Sequence, residues 1–302
     1  MPERNEVHVN VPLTNVSIAY RNSDYVAEDV WPIVPVRKLS DLYYKYGAER
    51  FRPVRTARAR MTRAPEVDWT VTTGSYSCRS YALAQGIDDE ERDNADAPLN
   101  LDVDTTELLT DLMLLDYEIR VMTLLTDTGT WDNDSPGTKW DQDASTPVED
   151  VLAARETIRL ASGLRPNTMV LPFSVFNALK GNAEIIEWIN PLMRVQVTIE
   201  HLQTLFEIPR ILVAEAMYDS AIEGQDPVIG DIWGDDVWIG YVAARPGLKQ
   251  VSAGYTFRQK PFYTRRWREE PRHSDFIEVN LVQDEKVVCA EAGSLLTTCL
   301  TA

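Results

Sequence analysis

The chain has 302 residues, 44% apolar and 25% charged, with a formal net charge of −17. It is long enough to bury a core in one large or two ordinary domains, and its composition excludes a disordered or fibrous chain. Its apolar runs are too short for a membrane-spanning helix, the polar start Met1-Pro2-Glu3-Arg4-Asn5-Glu6 does not read as a secretory signal, and the acidic average excludes nucleic-acid binding through the bulk surface. Cys78, Cys289 and Cys299 are widely spaced with no CxxC, so neither a disulfide framework nor a zinc site is expected, and a reducing compartment is the simpler reading.

Residues 1–36 read as an extended arm, because Pro12, Pro32 and Pro35 break helix; one short helix fits within Tyr20–Val30. Residues 37–63 carry nine bases, Arg37, Lys38, Lys45, Arg50, Arg52, Arg55, Arg58, Arg60 and Arg63, against Asp41 and Glu49. The aromatic and β-branched runs Leu42–Tyr46 and Val67–Val71 predict strands flanking the arginines. A long, weakly packed hairpin or loop is expected there, and such an excursion is normally functional or held by a partner. Residues 87–150 reverse the charge, with nineteen acids against Arg92, Arg120 and Lys139. A third block, Arg258–Arg272, holds six bases against Glu269 and Glu270. These blocks are either solvated faces or complementary patches that set register between copies of the chain.

The clearest helix starts at Asp104, where Asp104-Thr105-Thr106-Glu107 resembles a capping box. Leu108, Leu112, Leu115, Ile119 and Met122 then form an apolar stripe expected to pack in the core, and Asp127–Gly129 closes the helix. Residues 130–146 read as a loop. Thr146-Pro147-Val148-Glu149 predicts a capped helix start with proline at the first helical position, and Gly163 its end. Asn167–Leu171 reads as a strand, followed by short helices at 173–180, 183–189 and 198–206 and strands at Ile211–Ala214 and Val237–Val242. After Pro246-Gly247, the segments Gly254–Phe257, Ile277–Leu281 and Lys286–Ala290 read as strands. The class is α+β.

Chemistry is sparse. His8, His201 and His273 belong to no ligand motif, and no nucleophile elbow, phosphate loop or dinucleotide glycine pattern is present. Asp132–Asp143 nearly fits a calcium loop, but Pro136 occupies the fifth position and Asp143 replaces the bidentate glutamate. Asp88-Asp89-Glu90-Glu91 offers adjacent carboxylates for a divalent metal or acid/base work, with only Arg92 nearby to orient them. Its other reading is a charge partner for an arginine-rich segment of another subunit.

The order of elements resembles the major capsid proteins of tailed bacteriophages, the Hong Kong 97 type shell fold. The local matches are Thr14–Tyr20 and Ala27–Val36 for the arm, Leu42–Tyr46 for the first strand of an extended loop, and Leu115–Arg120 for the long spine helix. Leu202–Glu215, Trp233-Gly234-Asp235-Asp236 and Glu291-Ala292-Gly293 continue the match, so it covers nearly the whole chain. Each piece is short; their order and spacing carry the likeness.

The resemblance implies an N-terminal arm at 1–37 and an extended loop at 38–82. It implies a peripheral domain from 83–129 and 246–302 with a spine helix at 104–127, and an axial domain at 130–245. It further implies a non-enzymatic virion protein that self-assembles into hexamers and pentamers, enclosing double-stranded DNA without sequence-specific binding and using no cofactor. Assembly in the host cytoplasm with a separate scaffolding protein, a portal protein at one vertex and a decoration protein also belongs to that picture. Arg50, Arg52, Arg55, Arg58, Arg60 and Arg63 are the candidate interface cations, with Asp88, Asp89, Glu90 and Glu91 as candidate acidic partners. The competing readings are an encapsulin-like compartment of the same fold and an acidic metal-dependent enzyme.

Overall fold

A computed structural model describes residues 25–46, 51, 53–54, 56–58, 60–64, 66–67, 71–95, 100–189, 196–222, 224–246 and 250–301. Most predicted elements are present in the predicted order, and they build two sheets and two ribbons around one long helix. Two strand expectations are corrected: of Val67–Val71 only Val71 is in a strand, which runs Val71–Ser77, with residues 68–70 outside the described residues, and Lys286–Val287 ends the long strand Ser274–Val287 where a separate strand Lys286–Ala290 was expected. The first sheet has the order β1-β11-β12-β4, from Ile33–Pro35, Gly254–Glu269, Ser274–Val287 and Arg79–Asp88. The second has the order β5-β13-β10-β6-β7, from Asp132–Asp134, Gly293–Leu296, Val237–Gly240, Thr168–Pro172 and Arg210–Ala214. The ribbons are β2–β3 (Ser40–Tyr46 with Val71–Ser77) and β8–β9 (Met217–Asp219 with Ile229–Asp231).

The second sheet is buried because its central strands are apolar throughout. All of β6 and β10 is buried, and Met169, Leu171, Val237 and Ile239 meet Val151, Ile158, Leu179, Leu202 and Phe206 in one core. Those partners come from helices α4 (Pro147–Ser162), α5 (Phe173–Gly181) and α7 (Ile199–Phe206); α6 (Ala183–Ile189) adds Ile185. A second core joins Val26, Val30 and Trp31 of the arm to Tyr117, Val121, Leu125, Trp131, Trp233 and Trp238. Val26 and Trp31 flank α1 (Ala27–Val30), which lies inside the expected short-helix window.

The long helix α3 spans Leu101–Leu125, one turn earlier than Asp104 predicts. Asn100 is the N-cap residue, and Asp104 accepts its backbone N–H at 3.2 Å from inside the first turn. The expected core stripe is also corrected. Leu108 and Leu112 are 51% and 42% exposed, Leu115, Ile119 and Met122 are partly buried against the second core, and the buried positions are Thr105, Leu109, Met113, Tyr117, Glu118, Val121 and Leu125. A spacing of four drifts by about 40° per step on a helix of 3.6 residues per turn. The buried line therefore winds from the first sheet, where Leu109 meets Ile87, Ile277 and Val279, into the second core. One fixed face cannot serve both contacts.

Three further local expectations change. Thr146 makes no side-chain cap bond; the Val148 N–H goes instead to the Glu184 carboxylate at 3.1 Å. Pro147 and the left-handed Gly163 (φ 72°) do bound α4 as expected. The capping box present is Thr198 with His201, a histidine doing the glutamate's work. Residues 130–146 are not all loop, since Asp132–Asp134 pairs in parallel with Ser294–Leu296. An extended strand does not wrap a cation as the calcium-loop template requires.

Candidate assembly interface

The base of ribbon β2–β3 rests on the first sheet. Tyr43 and Tyr76 stack on Phe257 of β11 at 5.4 and 4.6 Å, and the Ser77 N–H donates to Asp284 at 2.7 Å. A two-stranded ribbon is marginal by itself, so this aromatic base is what attaches it. Beyond the base, apolar side chains face water: Leu42, Tyr44, Val54, Met61 and Val67 are all exposed. Arg58, Arg60 and Arg63 are exposed among them, and Arg50, Arg52 and Arg55 lie outside the described residues.

The acidic candidates sit at the far end of the first sheet. Asp88 ends β4 and is half-buried; Asp89 opens the short helix α2 (Asp89–Asn94); Glu90 and Glu91 are exposed. Arg268 of β11 grips Asp89 through both terminal nitrogens at 2.7 Å, which holds the Asp89 carboxyl below the usual range. Arg92 joins Asp102 at 2.9 Å and Asp275 at 3.0 Å, and Arg266 joins the same two acids at 3.1 and 2.9 Å. Exposed pairs contribute only about 0–1 kcal/mol each, but this lattice fixes α2 and the start of α3 against the β11–β12 hairpin. Within the subunit, then, Asp89 already has a cation. Sequence reasoning missed that pairing because Asp89 and Arg268 are 179 positions apart.

The sequence reading also missed a buried acid. Glu118 of α3 is fully buried. Its Oε1 accepts the Trp233 Nε1–H at 2.8 Å and the Val26 N–H at 3.2 Å, and its Oε2 accepts the Ala27 N–H at 2.8 Å. Burial pushes the Glu118 carboxyl up, and the Ala27, Trp233 and Val26 bonds pull it down. The available signal was one glutamate on the buried side of an apolar helix.

Burial raises all three cysteine thiols, with Cys289 pushed up to about 11, so none is an activated nucleophile. Among the described residues no His, Cys, Asp and Glu side chains gather as a metal site, and no described helix is long and apolar enough to cross a membrane.

No family model matches the chain. Solved structures match it over almost its whole length. A phage-related protein from Bordetella bronchiseptica aligns with a TM-score of 0.70 at 23% identity, covering 93% of each chain. The capsid of cyanophage P-SCSP1u aligns with a TM-score of 0.65 at 9% identity, covering 97% of this chain and 93% of that one. The fold is thus the Hong Kong 97 type shell fold. In sequence, the chain is 30% identical over 264 residues to the major capsid protein of Burkholderia phage BcepMu, covering 83% of this chain and 84% of that one. The chain belongs to the major capsid proteins of tailed phages: it is a non-enzymatic structural protein of the virion that self-assembles into an icosahedral shell. The enzyme and encapsulin readings fall with that kinship.

Proposed function

We propose that the subunit builds its shell as hexamers and pentamers around double-stranded DNA, with residues 130–245 forming the axial domain. Residues 83–129 and 246–302 make the peripheral domain around α3, residues 1–37 are the arm, and residues 38–82 reach over a neighbouring copy. The observation that carries this reading is the ribbon and its loop: Tyr43, Tyr76 and Ser77 tie the base to the first sheet, the Phe51 ring lies against Gly163, and the stretch still presents exposed apolar side chains with Arg58, Arg60 and Arg63. An apolar, cationic surface of that kind is stabilised by covering it. The exposed Glu90 and Glu91, with Asp88, offer the complementary charge, and Arg50, Arg52 and Arg55 extend the cationic side. Asp89 would join them by sharing its carboxylate between Arg268 and a neighbour.

The net charge of −17 suits a wall that does not adhere to the genome it holds. A separate scaffolding protein and a portal protein at one vertex complete the assembly in the host cytoplasm. Reversing the three described cations together, Arg58→Glu, Arg60→Glu and Arg63→Glu, tests the loop assignment. The expected outcome is a subunit with unchanged circular dichroism and melting temperature that forms no closed shells. Shells at wild-type yield would remove residues 38–82 from the interface.

A further inference from the structure

We propose that Glu118 is the positioning residue that fixes where the arm leaves the subunit body, holding Val26 and Ala27 against α3 and Trp233 in the geometry that assembly requires. This rests on the reading of residues 1–37 as an arm that contacts other copies.

The argument starts from donors that have no local acceptor. The first N–H groups of any helix lack partners within the helix. Val26 is the N-cap residue of α1, and its side chain is apolar, so it cannot supply an acceptor. The Glu118 carboxylate, 92 and 91 positions away, accepts the N–H groups of Val26 and of Ala27, the first helical residue. The same carboxylate takes the indole N–H of Trp233, whose ring is itself buried. Three elements distant in sequence therefore meet on two oxygen atoms: the arm, the long helix, and the turn before β10 (Val237–Gly240). Only an ionised carboxylate accepts all three hydrogens. A glutamine keeps one oxygen and turns an amide N–H₂ toward one of the donors, leaving that donor buried and unpaired.

The other polar ties of this segment lie at its surface. Glu28 meets Arg258 at 2.7 Å, Asp29 meets Arg210, and the Tyr25 hydroxyl donates to Asp111 at 3.2 Å. Each has at least one exposed or half-exposed partner, so water competes for it. The Glu118 contacts are dry. They are the ones that decide the angle at which Tyr25 and Val26 meet the body.

Other titratable and charged groups lie on the packed elements, and several bond partners other than Glu118. On the arm these are Tyr25, Glu28 and Asp29, as above. On α3, Asp111 takes the Tyr25 hydroxyl, Tyr117 bonds Thr256 at 2.8 Å, and Arg120 pairs with Asp116 and with Glu285 at 3.1 Å. Around Trp233 the acids are Glu215, Asp231, Asp235 and Asp236, and the Asp236 carboxylate accepts the Thr298 N–H at 2.8 Å. No cation pairs with Glu118 among the described residues, so its charge is held by N–H groups alone.

The test is amide hydrogen exchange on the full-length subunit, wild type against Glu118→Gln and Glu118→Ala, with electron microscopy of assembly reactions alongside. The expected result is at least tenfold faster exchange at Val26 and Ala27 in both variants, with strands β6 and β10 as protected as in wild type, and fewer closed shells. Unchanged exchange at Val26 and Ala27 would overturn the proposal. So would an equal loss of protection across β6 and β10, which would make Glu118 a general stabiliser. If a variant fails to fold, Trp233→Phe, which keeps the ring and removes one donor, must still speed exchange at Val26; if it does not, the proposal is overturned. Deleting residues 2–24 tests the arm reading separately. Normal shells after that deletion would remove the assembly role while leaving the exchange result to stand or fall alone.

Discussion

Gly254 shows how closely the arm is seated. A Cβ built there would lie 2.4 Å from the Trp31 ring, and Trp31 is fully buried. The ring cannot withdraw without opening the second core, where it packs with Trp131, Trp233 and Trp238. Gly254→Ala is therefore expected to destabilise the subunit by about 1–3 kcal/mol, the usual range for overpacking a filled core. Chemical denaturation of the variant checks it, and a change below about 0.5 kcal/mol would mean the arm is looser than described. Gly293 is seated in the same way against Trp131, at 2.6 Å. The sequence gives no signal at Gly254, and the isolated Gly293 reads there as a turn or cap residue, whereas it opens strand β13 in extended backbone. Their reason is a tryptophan far away in the chain, which only the fold brings near.

At the scale of elements, α3 carries two apolar lines with different tasks. Met113 belongs to the buried line, whereas Leu108 and Leu112 face solvent in the free subunit. Met113→Ala is expected to cost about 2–5 kcal/mol by emptying core volume. Leu108→Ser with Leu112→Ser is expected to leave subunit stability within about 0.5 kcal/mol per site. If those leucines lie under a neighbour, the double variant lowers the yield of shells. A large fall in melting temperature for the serine pair would instead place them in the core, as their spacing alone suggests.

This helix also shows what was legible and what was not. Its existence was clear from composition and periodicity, because about seven turns of leucine-rich sequence favour a helix that can bury one side. Its buried face was not clear, because Leu108, Leu109, Leu112 and Met113 put apolar groups on several sides. Strands β11 and β12 gave the opposite difficulty. Only Gly254–Phe257 and segments of β12 read as strands, yet the hairpin runs from Gly254 to Val287. Pro261 and the charged run Arg265–Arg268 disguise the rest, and the register shifts between Arg258 and Tyr263 accommodate the proline. Of the candidate interface, the charge blocks were legible by counting. Which acids are already paired within the subunit was not, because Arg268 reaches Asp89 only through the sheet.

At the scale of the whole molecule, the two cores and the ribbon divide the work of the subunit. The cores make a body that holds its shape, with the arm pinned into one of them at Glu118 and Trp31. The ribbon and the exposed line of α3 leave apolar and charged surface for other copies to cover. A shell repeats each such contact many times, so contacts of about 1 kcal/mol decide assembly even though they barely alter one subunit. The charge pattern adds selectivity, since a wrong register sets like charges together.

The most direct measurement is electron microscopy of the purified protein, produced together with the other head proteins of its phage. Uniform closed icosahedral particles are predicted, with this chain as the repeating wall subunit. Monomers and small oligomers alone, under conditions where the partner proteins are present and folded, would contradict the account.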